Sequence, residues 1–254
     1  DILKKSSLPF FAGKLWIKID TGMNRMGIKI GFAKDAIKEI QKIRFTDNIG
    51  LMTHLSDAEV VKREKNYAQL DLFRKISNNF KGDISFANSA VIMNYDECIS
   101  KYNWNNNGDI WVRPGIALYG ISPLSGQTAN ELGLSAVMSF KSKLISIKSI
   151  SKGETVGYNS TWKAPNKTYI GTIAVGYGDG YSKSLKSGTP VLINNRKVPL
   201  VGLVSMDLIN VDLGQISNDS IGDEVTLWGM GLPIEEVAES SQLSSYALVT
   251  GISG

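Results

Sequence analysis

A chain of 254 residues with 43% hydrophobic and 20% charged side chains can form one large domain or two smaller ones, and has the make-up of an ordinary globular protein. Its 28 basic and 24 acidic side chains leave a formal net charge of +4 with no dense basic run, which argues against a nucleic-acid face. No stretch approaches the roughly 20 apolar residues that cross a bilayer, and one cysteine, Cys98, excludes an intrachain disulfide framework and fits a reducing cytoplasm. The chain begins at Asp1 rather than methionine, shows no signal peptide, and reads as a piece of something longer.

Leu15–Asp20 is a short apolar run stopped by Thr21-Gly22, a strand and a turn. Ala33–Arg44 spaces Ala33, Ala36, Ile37 and Ile40 as a helix does, and Ile49–His54 follows as a second strand. Glu64–Phe80 puts Ala68, Leu70, Phe73, Ile76 and Phe80 near one helical face and leads into the strand Ile84–Ala87. Beyond the asparagine-rich loop Asn103–Gly108, the run Ile110–Leu118 is expected as one buried strand entering a glycine turn. Strands alternating with helices argue for parallel βαβ units with the helices outside. A complete eight-stranded barrel needs about 250 residues, and roughly four strands precede residue 125. A half barrel would expose a long edge, so either the first strands lie outside this sequence or the architecture is not a barrel.

From Ser135 onward the texture changes. Val137–Ile147, Tyr169–Val175, Pro190–Ile193 and Glu224–Trp228 are β-rich runs separated by Gly, Asn and Lys turns. Asn194-Asn195 is expected as a hairpin turn, and Pro233–Ser241 as a short helix with Ile234, Val237 and Ala238 on one face. This half reads as an antiparallel β domain, with the boundary inside Ser122–Leu134, where Gly, Ser and Pro collect. There is no solenoid repeat, no metal-ligand spacing and no nucleotide-binding glycine pattern.

Arg113 stands alone in the apolar run Ile110–Leu118, a costly position unless something pairs with it. Pro114 biases it towards an extended backbone, and Gly115 allows a close approach to another group, for which a phosphate is one candidate. A neighbouring carboxylate is the other reading of Arg113. His54, the only histidine, can be a satisfied core residue or a functional one. Tyr158 is one of nine tyrosines, and Arg25 one of several exposed-looking cations, so neither is singled out by its own chemistry.

These stretches together resemble the alanine racemases. The resemblance runs through 17–27 (IKIDTGMNRMG), 53–59 (THLSDAE), 87–89 (ANS), 109–120 (DIWVRPGIALYG), 156–158 (VGY), 175–181 (VGYGDGY) and 205–207 (SMD), in family order over nearly the whole chain. It implies a fold of two classes, α/β plus all-β. Residues 1–131 would be the C-terminal portion of a (β/α)8 TIM-type barrel that binds pyridoxal 5′-phosphate, and 132–254 a mostly antiparallel β domain. The implied reaction interconverts L-alanine and D-alanine by two-base proton transfer, in a cytoplasmic homodimer that supplies D-alanine for peptidoglycan.

The resemblance also assigns roles. Arg113 is expected to face the pyridine nitrogen of the cofactor, His54 to stack on its ring, and Ser89 with the Gly115 and Ile116 amides to hold its phosphate. Because arginine stays protonated at working pH, it would leave that nitrogen without a proton and keep the chemistry to simple proton return. Arg25 is expected at the cofactor's phenolic oxygen and the substrate carboxylate, where a guanidinium offers parallel donors. Lys18 matches a position that is carbamylated in many relatives and holds that arginine. Tyr158 is expected as the catalytic base on the L-amino-acid face and Met206 as a substrate contact, both donated by the partner subunit; Asn88 and Asp207 are supporting residues. The turn 177–181 is read as lying beside the substrate entrance.

One departure is large. The family's cofactor-binding lysine sits in a lysine-alanine-asparagine-alanine-tyrosine-glycine-histidine-glycine motif that is not in this sequence. The chain enters the family pattern late and is expected to be part of a racemase, inactive alone. Three other readings stay open: a catalytically incompetent remnant, a racemase of broader specificity that takes serine, and a decarboxylase of basic amino acids. The last is disfavoured because its relatives carry a β-domain cysteine, whereas Cys98 lies in the first half.

Overall fold

The computed structural model describes residues 13–42, 48–60, 62–78, 80–94, 102, 104 and 108–252. They form two compact units, residues 1–117 with 122–127 and residues 118–121 with 128–254.

The first unit is built on a parallel sheet in the order β2-β1-β3-β4-β5. Its strands are β1 (Leu15–Asp20), β2 (Ile28–Lys29), β3 (Ile49–Met52), β4 (Ile84–Asn88) and β5 (Ile110–Arg113). Helices α1 (Ile30–Lys42) and α2 (Glu64–Ser77) and the single turn α3 (Ser89–Met93) complete it. The first four residues of β4, Ile84 to Ala87, are all buried, as expected of a strand covered on both faces. Helix α1 buries Ala33 and Ile37, and α2 buries Leu70 and Phe73.

Three expectations need correction. The run Ile110–Leu118 is not one buried strand: β5 ends at Arg113, and Ile116–Tyr119 is a 3-10 turn. Moreover β5 is an edge of the described sheet, so Trp111 and Val112 are each 49% exposed. A side chain on an outer strand lacks the neighbour that would cover it, whatever its hydropathy. Helix α2 is rotated so that Gln69, not Ala68, faces inward. A two-residue strand, β2, also forms where none was expected. Cys98, Arg44 and most of Asn103–Gly108 lie outside the described residues.

The second unit contains a closed antiparallel barrel in the order β10-β11-β12-β9-β6-β13. These strands are β6 (Phe140–Ile150), β9 (Thr168–Ile173), β10 (Pro190–Ile193), β11 (Arg196–Val201), β12 (Ile209–Gly214) and β13 (Glu224–Trp228). Alternation along β12 sends Ile209, Val211 and Leu213 into the core. Pairing of β13 with β10 closes the ring, which leaves no free edge among its strands. Asn194 and Asn195, at φ of 48° and 59°, make the two-residue turn that joins β10 to β11, as the sequence indicated. A small hairpin of β7 (Thr155–Val156) and β8 (Trp162–Lys163) forms a separate two-stranded sheet, and Val156 and Trp162 pack it against Ile170 of β9 and Val201 of β11. Helices α4 (Ile234–Ser240) and α5 (Ser245–Thr250) follow. No helix among the described residues is long and apolar enough to cross a membrane.

Candidate active site

In a parallel sheet, ligands collect outside the carboxyl ends of the strands. The first unit places its expected residues there. Lys18 lies on β1, Arg25 in the loop after it, His54 just beyond β3, Asn88 and Ser89 at the β4–α3 junction, and Arg113 at the last position of β5.

Arg113 is half-buried and held by three contacts. One guanidinium nitrogen donates to the Ser85 hydroxyl. The other donates to the Thr53 carbonyl at 2.7 Å and meets Nδ1 of His54 at 3.3 Å. Among the described residues none of these partners is a carboxylate, which removes the ion-pair reading of this arginine. A guanidinium has no acceptor, so Nδ1 must offer a lone pair, and the imidazole proton belongs on Nε2. Burial, reinforced by the charges of Arg113, Arg25 and Lys18, lowers the His54 pKa below its usual value. Burial also lowers the Arg113 pKa from its ordinary value, yet arginine remains a cation in the working range.

The support of Arg113 was not legible beforehand. Ser85 is buried and donates to the Trp111 carbonyl at 2.8 Å while accepting from Arg113, so it stitches β4 to β5. Its one signal was a lone hydroxyl inside the apolar run of β4.

Ser89 is buried, and its oxygen accepts from the Gly115 amide at 2.7 Å and the Ala117 amide at 3.3 Å. Both bonds are accepted ones, so the hydroxyl proton remains available for a further acceptor. A Cβ at Gly115 would meet nothing nearer than Ser89 Oγ at 3.9 Å, so the glycine leaves room beside the hydroxyl. Ile116 opens the 3-10 turn and is buried. Asn88 caps α3 by accepting from the Val91 amide at 3.1 Å, a structural role for this supporting residue. Arg25 is exposed, and Asp20 shapes its loop by accepting from the Gly22 and Asn24 amides, each at 3.0 Å.

The second unit carries the other group of expected residues. Tyr158 is 69% exposed and Met206 57% exposed, and both line a cavity of about 370 Å³ with Asn159, Tyr177, Lys183 and Leu203. Tyr158 opens a turn in which Asn159 and Ser160 have φ of 59° and 49°, an unusual conformation for two successive non-glycine residues. The loop bearing Met206 is fixed by its backbone. Tyr177 donates to the Ser205 carbonyl at 3.0 Å and Gly178 to the Met206 carbonyl at 2.8 Å. A Cβ at Gly176 would lie 2.2 Å from the Met206 carbonyl oxygen, so only glycine permits this approach. The turn 177–181 therefore positions the Met206 loop, and Tyr177 and Lys183 from its vicinity join the cavity wall. Lys183 stacks over the Tyr177 ring at 5.3 Å, a contact the sequence reading did not foresee. Asp207 is exposed beside Met206. Among the described residues no group of His, Cys, Asp and Glu could hold a metal ion.

A parallel α/β unit with cations and an imidazole at its strand ends, followed by a β domain presenting a tyrosine, is the arrangement of a two-domain enzyme family. Residues 12–123 match the family model "Alanine racemase, N-terminal domain" and residues 137–254 match "Alanine racemase, C-terminal domain". The alanine racemase of Actinobacillus succinogenes is 41% identical over 251 residues, spanning 98% of this chain and 67% of that protein. That of Shewanella amazonensis is 41% identical over 237 residues, 93% of this chain and 63% of its own length. Among solved structures, the biosynthetic alanine racemase from Pseudomonas aeruginosa superposes with a TM-score of 0.89 at 33% identity, covering 98% of this chain and 66% of that one. The alanine racemase from Bartonella henselae, solved with covalently bound pyridoxal phosphate, gives 0.79 at 27% identity, covering 95% of this chain and 64% of that one. The chain belongs to the alanine racemase family, and spans a little under two thirds of the length of most of these relatives.

Proposed function

We propose that this chain carries most of the catalytic machinery of a pyridoxal-phosphate-dependent alanine racemase, an isomerase of cell-wall D-alanine supply acting in the cytoplasm. The observation that carries the reading is Arg113, a cation with no carboxylate partner among the described residues, held against His54 at the carboxyl end of a parallel sheet. The first unit is then read as the later portion of a (β/α)8 barrel, and the second as the family's β domain, the expected division at 131/132 falling just beyond the 127/128 division of the compact units.

The residues fit the cofactor. Ser89, whose hydroxyl proton is unspent, and the Ile116 amide would hold its phosphate, the expected Gly115 amide joining them only by giving up its 2.7 Å bond to Ser89 Oγ. His54 would hold its ring face and Arg113 its ring nitrogen. When bound, pyridoxal phosphate supplies the electron sink that α-proton removal requires. The chain's own groups do the rest. Arg113, a donor that keeps its proton, would leave the ring nitrogen only the role of acceptor, and so unprotonated. Arg25 binds the substrate carboxylate with paired donors, and Lys18, carbamylated or not, supports it. Tyr158 accepts or returns the α proton at its phenolic oxygen on the L-amino-acid face. Its high exposure fits a residue that serves a site shared in a homodimer, together with Met206. The family's lysine motif is not in this chain, so the chain alone is read as inactive.

The test supplies that lysine. The part of the Actinobacillus succinogenes racemase that this chain does not match is fused to it, pyridoxal phosphate is added, and the interconversion of L- and D-alanine is followed. Activity is expected, and Tyr158→Phe should lower it by about 100- to 10,000-fold, the span of general acid–base catalysis, with the larger loss from the L side. An inert fusion that nonetheless folds and binds the cofactor would overturn the reading, and unchanged rates in both directions would remove Tyr158 from it. The unfused chain should bind no cofactor that borohydride fixes to a lysine.

A further inference from the structure

The buried face of α2 carries an amide that the proposed chemistry does not use. Gln69 is 2% exposed and touches both loops that present the first unit's functional side chains. Its Nε2 donates to the Thr21 hydroxyl at 3.4 Å, in the loop after β1, and to the His54 carbonyl at 3.3 Å, in the loop after β3. Its Oε1 accepts from the Ser56 amide at 3.0 Å. The Ser56 hydroxyl has one proton, and the Asp57 carboxylate at 2.6 Å is the stronger claimant than Oε1 at 3.0 Å. The amide orientation follows, because turning it over would set a donor against the Ser56 N–H and an acceptor against the His54 carbonyl.

The contacts continue beyond Gln69. Thr53 donates its proton to the Ile19 carbonyl at 2.9 Å, so in its 2.8 Å contact with Thr21 it must accept. Protons therefore run in one direction, from Gln69 to Thr21 to Thr53 to the β1 backbone. The Thr53 carbonyl in turn holds Arg113. Thr53 and Leu55 are buried, whereas His54 between them is only half-buried. The Gln69 side chain also packs 3.6 Å from the Cβ position of Gly22, beneath the loop that leads to Arg25.

We propose that Gln69 is a positioning residue: one buried amide that locks the 53–56 loop to the loop after β1 and so sets the imidazole of His54 against Arg113. It acts through His54 and touches no reacting atom. The proposal deepens the racemase reading and rests on it for its catalytic consequence, whereas its geometry stands without it.

The chain's single histidine makes the test direct. The imidazole signals of the whole chain are followed by NMR as a function of pH, with nitrogen-15 shifts reporting which ring nitrogen carries the proton. In the parent chain the midpoint should lie below the ordinary value of about 6.5, with the proton on Nε2. The charges that face the ring are Arg113 from β5 and Arg25 and Lys18 from β1 and its loop. Gln69→Met keeps length and helix preference but removes both ends of the amide. The midpoint should rise towards about 6.5 and the two neutral tautomers should mix, because the loosened ring gains solvent and is freed from Arg113. Leu70→Ala, from the same buried face, is the control: it should lower the melting temperature and leave the midpoint where it was. A folded Gln69→Met chain with unchanged midpoint and tautomer overturns the proposal. If that variant does not fold, Thr21→Val cuts the amide's link to β1 and is read by the same two signals. None of these signals depends on turnover. An inert fusion with a Gln69-dependent His54 sinks the racemase reading alone, and an active fusion with an indifferent His54 sinks this one alone.

Discussion

The two units hold their functional side chains by opposite means. In the first, Arg113 and His54 are half-buried and fixed largely through side chains: Arg113 by the Ser85 hydroxyl, the Thr53 carbonyl and His54, and the His54 loop by Gln69. In the second, Tyr158 and Met206 stand out in solvent, and their positions come from backbone turns and glycines over a sealed apolar barrel. The difference follows from architecture. Strand ends in a parallel sheet open onto a polar crevice where buried donors must be matched. A closed antiparallel barrel pairs the polar groups of its backbone within its own ring and can present loops outside it. Substitutions in the first unit should therefore disturb stability and electrostatics together, and those on the second unit's loops should separate them.

The largest expected effect tests the sealed barrel. Trp228 is 1% exposed, and its ring packs 4.8 Å from that of Phe140 and 5.8 Å from that of Tyr181. Trp228→Ala should cost about 3–5 kcal/mol, the usual range for a buried aromatic, read from urea unfolding. A loss under about 1 kcal/mol would mean that the barrel core tolerates a cavity and is not the rigid base the comparison requires.

A smaller effect tests the network. Ser85→Ala deletes a hydroxyl that is bound on both sides, stranding one Arg113 nitrogen and the Trp111 carbonyl. Fully buried groups left in that condition cost about 1–3 kcal/mol; with Arg113 half-buried and Trp111 49% exposed, the lower end is expected. The same unfolding assay should show it, and a neutral result would mean that water replaces Ser85 and that Arg113 is held loosely.

How far the sequence carried these conclusions differs between the units for the same reason. Arg113 and His54 were legible because a cation in an apolar strand and a lone histidine are conspicuous, and a family pattern joined them. The Asn194-Asn195 hairpin was legible because its turn chemistry is local. Gln69 and Ser85 were not, because hydrophobic periodicity assigns polar residues outward, and Ala68 took the inward place that Gln69 occupies. Exposure of β5 escaped as well, since a strand's place in a sheet depends on pairings between residues far apart in the chain.

The smallest expected effect on stability is at Tyr158, and it is the sharpest test of the contrast. At 69% exposure the side chain buries little, and removing one hydroxyl oxygen exposes no new cavity. Tyr158→Phe should therefore leave the unfolding free energy within about 0.5 kcal/mol of the parent, as surface substitutions do. The same change is expected to bring the large loss of racemisation in the lysine-bearing fusion. Ser85→Ala should move both quantities. If Tyr158→Phe were instead to destabilise the chain by as much as Ser85→Ala, its hydroxyl would have a hidden structural partner, and the loss of turnover could no longer be assigned to proton transfer. A stable but inactive Tyr158→Phe, set beside an unstable Ser85→Ala, would separate a residue whose part is chemical from one whose part is to hold Arg113.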